Sequence, residues 1–129
     1  MLHLLVEPSW RGYYKRVQTL SENRRARFDY EILETLEAGI ELQGHEVKSV
    51  KNGQFNLSGA YAHIKNGEVW LINSSIPPYQ PKNAPADYDS NRTRRLLLRR
   101  DEIRELLGRL HEKSLSLIPL RTLLEKNFV

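Results

Sequence analysis

The chain has no cysteine, one methionine and few aromatic residues. Without cysteine there can be no disulfide and no cysteine-ligated metal site. Aromatic residues make up 9% of the sequence and the two tryptophans, Trp10 and Trp70, lie far apart, which disfavours a surface built on successive stacked bases. No apolar run approaches the roughly 20 residues of a membrane span. The opening MLHLLVEPSW lacks a basic segment ahead of its short apolar run, so no secretory signal is expected and the cytoplasm is the expected compartment. There is no glycine loop for phosphates, and the Leu57–Ala60 stretch LSGA is not the G-x-S-x-G of a nucleophile elbow. His45-Glu46 and His111-Glu112 each lack the further histidine that a helical zinc-protease motif needs. Glu31, Glu34 and Glu37 are chemically capable of acid/base work, but nothing near them suggests a raised pKa. No enzymatic activity, metal or cofactor is therefore expected.

What is present is charge in blocks. The chain has 129 residues, enough for one domain with a real core. Residues 1–28 hold six Lys/Arg against two acids, residues 29–46 six acids and no base, and residues 47–129 fourteen bases against eight acids. Two basic parts thus flank an acidic stripe, and if they meet in space they form a patch suited to a phosphate backbone.

The elements can be read from spacing. Residues 1–16 read as an N-terminal extension, flexible or loosely packed, and residues 17–129 as the folded unit. RFDYEILETLEAGIEL alternates at Phe28, Tyr30 and Ile32, which predicts a strand, with a bend at Gly39 and a second strand from Ile40. GHEVKSVKNG predicts a short helix stopped by Gly53. YAHIKNGEVWLI predicts a hairpin turning at Asn66-Gly67, because a type I′ turn needs positive φ at both positions. Residues 74–91, with four prolines, predict a long loop. RRLLL then predicts a buried strand. RRDEIRELLGRLHEK predicts a helix with Ile103, Leu106, Leu107 and Leu110 on one face. LSLIPLRTLL predicts a last strand, with Pro119 marking an edge or bulge. The expected fold is mostly β: a small antiparallel barrel of the oligonucleotide-binding (OB) type with two or three peripheral helices.

Four segments then stand out in order: ENRRAR, EAGIELQGHEVKS, NLS and RRLLLRRDEI. From about Val17 to Leu120 the chain resembles the SsrA-binding protein family, also called small protein B. The resemblance implies an OB-type barrel that binds the tRNA-like domain of transfer-messenger RNA (tmRNA). It implies delivery of that RNA to stalled ribosomes for trans-translation, with elongation factor Tu engaged through the charged RNA. It further implies a monomer with no membrane contact and no chemistry of its own. Asn23, Glu37 and Leu97 match family residues needed for RNA binding. Arg24, Arg25, Arg27, Lys48, Arg94, Arg95 and Arg99 complete the expected RNA-binding set. The expected roles are a donor and acceptor for a base or ribose at Asn23, phosphate contacts at the arginines, and acceptance from a base amino group or 2′-hydroxyl at Glu37.

After Leu120 the match fades, since the family pattern continues into a further strand and a basic tail where this sequence reads RTLLEKNFV. That predicts incomplete pairing of the last strand, with Leu123, Leu124, Phe128 and Val129 needing cover, and weakens the expectation of ribosome engagement. The N-terminal extension is one candidate for that cover. The alternative reading is a general single-stranded RNA- or DNA-binding OB-fold protein, with a structural ribosomal protein a distant third. Within RRLLL, alternation turns Leu97 outward with Arg95 and Arg99, so Leu97 should be more exposed than Leu96 or Leu98.

Overall fold

The hairpin is the simplest element to derive. In the computed structural model, β4 (Tyr61–Lys65) and β5 (Glu68–Ile72) pair from Tyr61–Ile72 to Lys65–Glu68. Asn66 and Gly67 have φ of 54° and 75°, as a type I′ turn requires. The structure describes residues 2–4 and 16–126, and the side chains of 18–82 and 84–124. Its other strands are β1 (Leu2–Leu4), β2 (Arg16–Glu22), β3 (Ala38–Ile40), β6 (Arg94–Leu97) and β7 (Arg121–Lys126). They form one sheet in the order β2-β7-β1-β3-β6-β5-β4, and every neighbouring pair is antiparallel.

Among the described residues, three helices and one 3₁₀ turn complete the fold: α1 (Arg24–Asp29), α2 (Gly44–Lys51), α3 (Arg100–Lys113) and the turn at Pro81–Asn83. Helix α2 is capped by Glu46, which accepts from the Gln43 backbone N–H at 2.8 Å, and it stops at Gly53, φ 80°. Helix α3 buries Ile103 and Leu106 and ends at Ser114 in the left-handed region. Leu107, expected on the same buried face, is about half exposed at the rim of a groove beside β4. The core gathers Ile40, Val50, Phe55, Leu57, Val69, Leu71, Ile76, Leu96 and Ile103 from both sheet and helices.

Several expectations need correction. The stretch from Phe28 to Leu36 is not a strand. Asn23 starts a short helix there, and residues 30–37 follow as irregular chain over an apolar cavity of about 310 Å³. The alternation misled because Phe28, Tyr30, Ile32 and Leu33 are all exposed and pair with no strand. An ion pair between Glu34 and Arg109 ties this segment to α3. Strand β2, whose VQTL carries a β-branched alternation, went unread in the sequence. The last strand begins only at Arg121, after Pro119, and is not an edge. It lies between β2 and β1, whose Leu2–Leu4 pair with Leu124–Thr122, so residues assigned to an extension cover β7. Leu123 is buried there; Phe128 and Val129 lie outside the described residues. Among the described residues, regular pairing does not close the sheet into a barrel. A single bridge, from the Ala62 N–H to the Leu117 carbonyl at 2.8 Å, joins β4 to the segment that enters β7.

Candidate nucleic-acid interface

Asn23 sets the first part of the surface. Its Oδ1 accepts from the Ala26 N–H at 3.3 Å, its Nδ2 donates to the carbonyls of Leu57 (3.1 Å) and Pro119 (2.9 Å), and its backbone N–H donates to Leu120. It is 6% exposed, and both amide hydrogens are used inside the protein. Both donors of this side chain are thus spent inside the protein, and none is left for a base. Asn23 instead pins α1 to the chain entering β7. Arg24, Arg25 and Arg27 project from that helix into solvent. Arg25 pairs with Asp29 at 3.3 Å on one side of the helix, while Arg24 and Arg27 share the other with Phe28.

The second part lies across β3 and β6. Gly39 pairs with Leu97, and a Cβ at Gly39 would stand 3.4 Å from the Leu97 Cβ, so the leucine lies directly on bare backbone. Leu97 is 41% exposed, while Leu96 is buried and Leu98 packs partly on the core, as alternation predicted. Partly buried Glu37 stands just before β3, two residues from Gly39. Arg95 shares the outer face with Leu97, within 3.8 Å of Glu41 and 3.5 Å of Glu68. Arg99 opens α3, where its backbone N–H donates to Glu102 and its guanidinium lies 3.3 Å from Asp101.

The remaining two expected residues differ in exposure. Lys48 is exposed on α2, an element that faces β2. Arg94 is fully buried, which corrects its assignment as a phosphate contact. Its Nε and Nη2 donate to Glu46 Oε2 at 3.0 and 2.7 Å, and Nη1 reaches Ser74 Oγ and the Arg92 carbonyl. Arg92 pairs with the other Glu46 oxygen, and Tyr88 donates to the Ile76 carbonyl at 2.7 Å. Burial pushes the Glu46 pKa up, but hydrogen bonds from Arg92, the Gln43 N–H and Arg94, with the charge of Arg94, outweigh it and hold the carboxyl at about 2. Burial and the Glu46 charge push the Tyr88 hydroxyl up. This cluster staples the loop of residues 74–91 to α2 and β6.

Sequence reasoning missed Glu46, which looked like half of a chance His-Glu pair, and Gly39, which looked like a bend. A signal existed for each: Glu46 is three residues after Gln43 at a helix start, and Gly39 sits inside an apolar run.

With this geometry in place, comparisons place the chain. The family model described as SmpB protein matches residues 20–129. The chain belongs to the SmpB family. SsrA-binding proteins of this family include that of Synechococcus elongatus, 51% identical over 113 residues, covering 88% of this chain and 73% of the relative. That of Gloeothece citriformis is 49% identical, covering 88% and 74%. That of Synechocystis sp. is also 49% identical, covering 89% and 75%. An SmpB structure described as "tmRNA-SmpB: a journey to the center of the bacterial ribosome" superposes with a TM-score of 0.62 at 45% identity, covering 82% of this chain and 80% of that one.

Proposed function

We propose that this chain binds the tRNA-like domain of tmRNA and delivers it to stalled ribosomes for trans-translation. The observation that carries the reading is the exposed Leu97 seated on Gly39, beside Glu37 and Arg95, in a member of the SmpB family. An isolated apolar side chain held on backbone and edged by charge offers shape-specific contact to an unstacked RNA base, with phosphate attraction around it. Glu37 accepts from a base amino group or 2′-hydroxyl, Arg95 and Arg99 meet the backbone, and Arg24, Arg25 and Arg27 add a second basic site. Lys48 gives weaker, general attraction. Asn23 acts by holding α1 in place. Residues 17–129 form the RNA-binding unit together with Leu2–Leu4, which fills its sheet between β3 and β7, and the Ala62–Leu117 bridge brings that sheet towards an OB-type barrel. The chain binds without chemistry of its own, as a monomer, in the cytoplasm. Elongation factor Tu is engaged through the charged RNA. Among the described residues no helix is long and apolar enough to cross a membrane.

A salt-titrated gel shift tests this. The tRNA-like domain of tmRNA should bind more tightly than unrelated single-stranded RNA of equal length at each salt concentration. Equal affinities would replace this reading with a general single-strand binder. Glu37→Ala should weaken tmRNA binding while the thermal midpoint stays near wild type; equal losses of both would make Glu37 structural.

A further inference from the structure

We infer that Arg24, Arg27 and Arg121 form a pocket for one backbone phosphate of the bound RNA; this rests on the RNA-binding reading above. The pocket has a volume of about 280 Å³, with Glu22, Arg24, Arg27, Phe28, Leu120 and Arg121 on its walls. Two physical facts bring these residues together. Arg24 and Arg27 are three apart on α1 and share a helix face. Arg121 comes from the far end of the sequence, but the β2–β7 register sets it opposite Glu22, and the Asn23 N–H to Leu120 carbonyl bond (2.8 Å) starts α1 beside it.

The electrostatics point to an anion. Three guanidinium groups face one carboxylate, Glu22, and among the described residues Arg24, Arg27 and Arg121 take part in no ion pair. Arg121 Nε is buried with no hydrogen-bond partner, and its Nη1 has only a 3.4 Å contact with Thr19 Oγ1. That guanidinium therefore keeps Nη donors that no protein acceptor satisfies well. A phosphate supplies several acceptor oxygens and fits the guanidinium fork. Arg25 is not part of this pocket, since it turns to Asp29 and lines the groove on the opposite side of α1. The three arginines of ENRRAR therefore divide into two that hold a phosphate and one that does not.

Two measurements on the whole chain test the pocket. The first follows arginine Nε–Hε resonances while inorganic pyrophosphate is added. Arg121, Arg24 and Arg27 should shift together and saturate, with Arg25 unmoved. A still Arg121 signal overturns the pocket, whatever the chain does with RNA. The second measures the salt dependence of tRNA-like-domain binding. Three arginines on one phosphate mean that the R24Q/R27Q/R121Q variant loses about one unit of slope in log K against log salt. A loss of about three units, or none, refutes a shared phosphate. Arg121→Lys keeps the charge and should keep the slope, which separates phosphate contact from a change in folding. A wild type that shows no preference for the tRNA-like domain, yet moves Arg121 with pyrophosphate, sinks the tmRNA reading and supports the pocket.

Discussion

Arg94 and Arg95 are neighbours on β6, yet one is fully buried and the other is nearly half exposed. They face opposite sides of the same strand because side chains alternate. On the inner side, Arg94 donates to Glu46 from Nε and Nη2 and to Ser74, Ser90 and Arg92 besides, so its charge serves the fold. On the outer side, Arg95 stands near Glu41 and Glu68 in water, where such pairs contribute about 0–1 kcal/mol. The comparison shows that a run of arginines does not define an RNA surface. The strand's two faces divide it into a buried half that serves the fold and an exposed half.

The largest effect should come from breaking the inner half. Glu46→Ala leaves Arg94 buried and unpaired, and removing one partner of a buried pair costs about 3–5 kcal/mol. Urea melts should show the loss; a change below about 1 kcal/mol would mean Arg94 finds solvent, and the contrast with Arg95 would collapse. A pH series sharpens the same point. The folded pKa of Glu46, about 2, lies below its ordinary value of 4.5. Its contribution is therefore complete above about pH 4.5 and is lost as pH falls towards 2. Stability curves of the protein and of Glu46→Gln should converge across that window, and parallel curves would remove Glu46 as the titrating group. The smallest stability effect belongs to the outer half. Arg95→Gln and Leu97→Ala should each change stability by no more than about 0.5 kcal/mol, yet both should weaken tmRNA binding. Only the arginine change should also flatten the salt dependence. A Leu97→Ala variant that melts early and binds normally would make that leucine a packing residue.

Asn23 teaches a related lesson about the first arginine cluster. Its side chain was expected to meet RNA, but its three side-chain bonds all lie inside the protein. Losing it would release α1, so an effect on RNA binding would report the position of Arg24 and Arg27.

Local chemistry was enough to determine several features from the sequence. The Asn66-Gly67 hairpin, helices α2 and α3, and the outward turn of Leu97 follow from turn conformation, helix spacing and alternation. The family was legible too, because four motifs occur in one order. What alternation could not decide is whether a segment finds a partner strand. Phe28–Leu33 alternates and finds none, while Leu2–Leu4 lies between β3 and β7. Nor does charge in a sequence say which acid will meet which base. Glu46 and Arg94 are 48 residues apart, and only the packing of α2 on the sheet joins them. Arg121 reaches Arg24 only through the register of β2 with β7. Sheet pairing and buried ion pairs are long-range contacts, so tertiary structure alone decided which arginines hold the fold and which stand exposed.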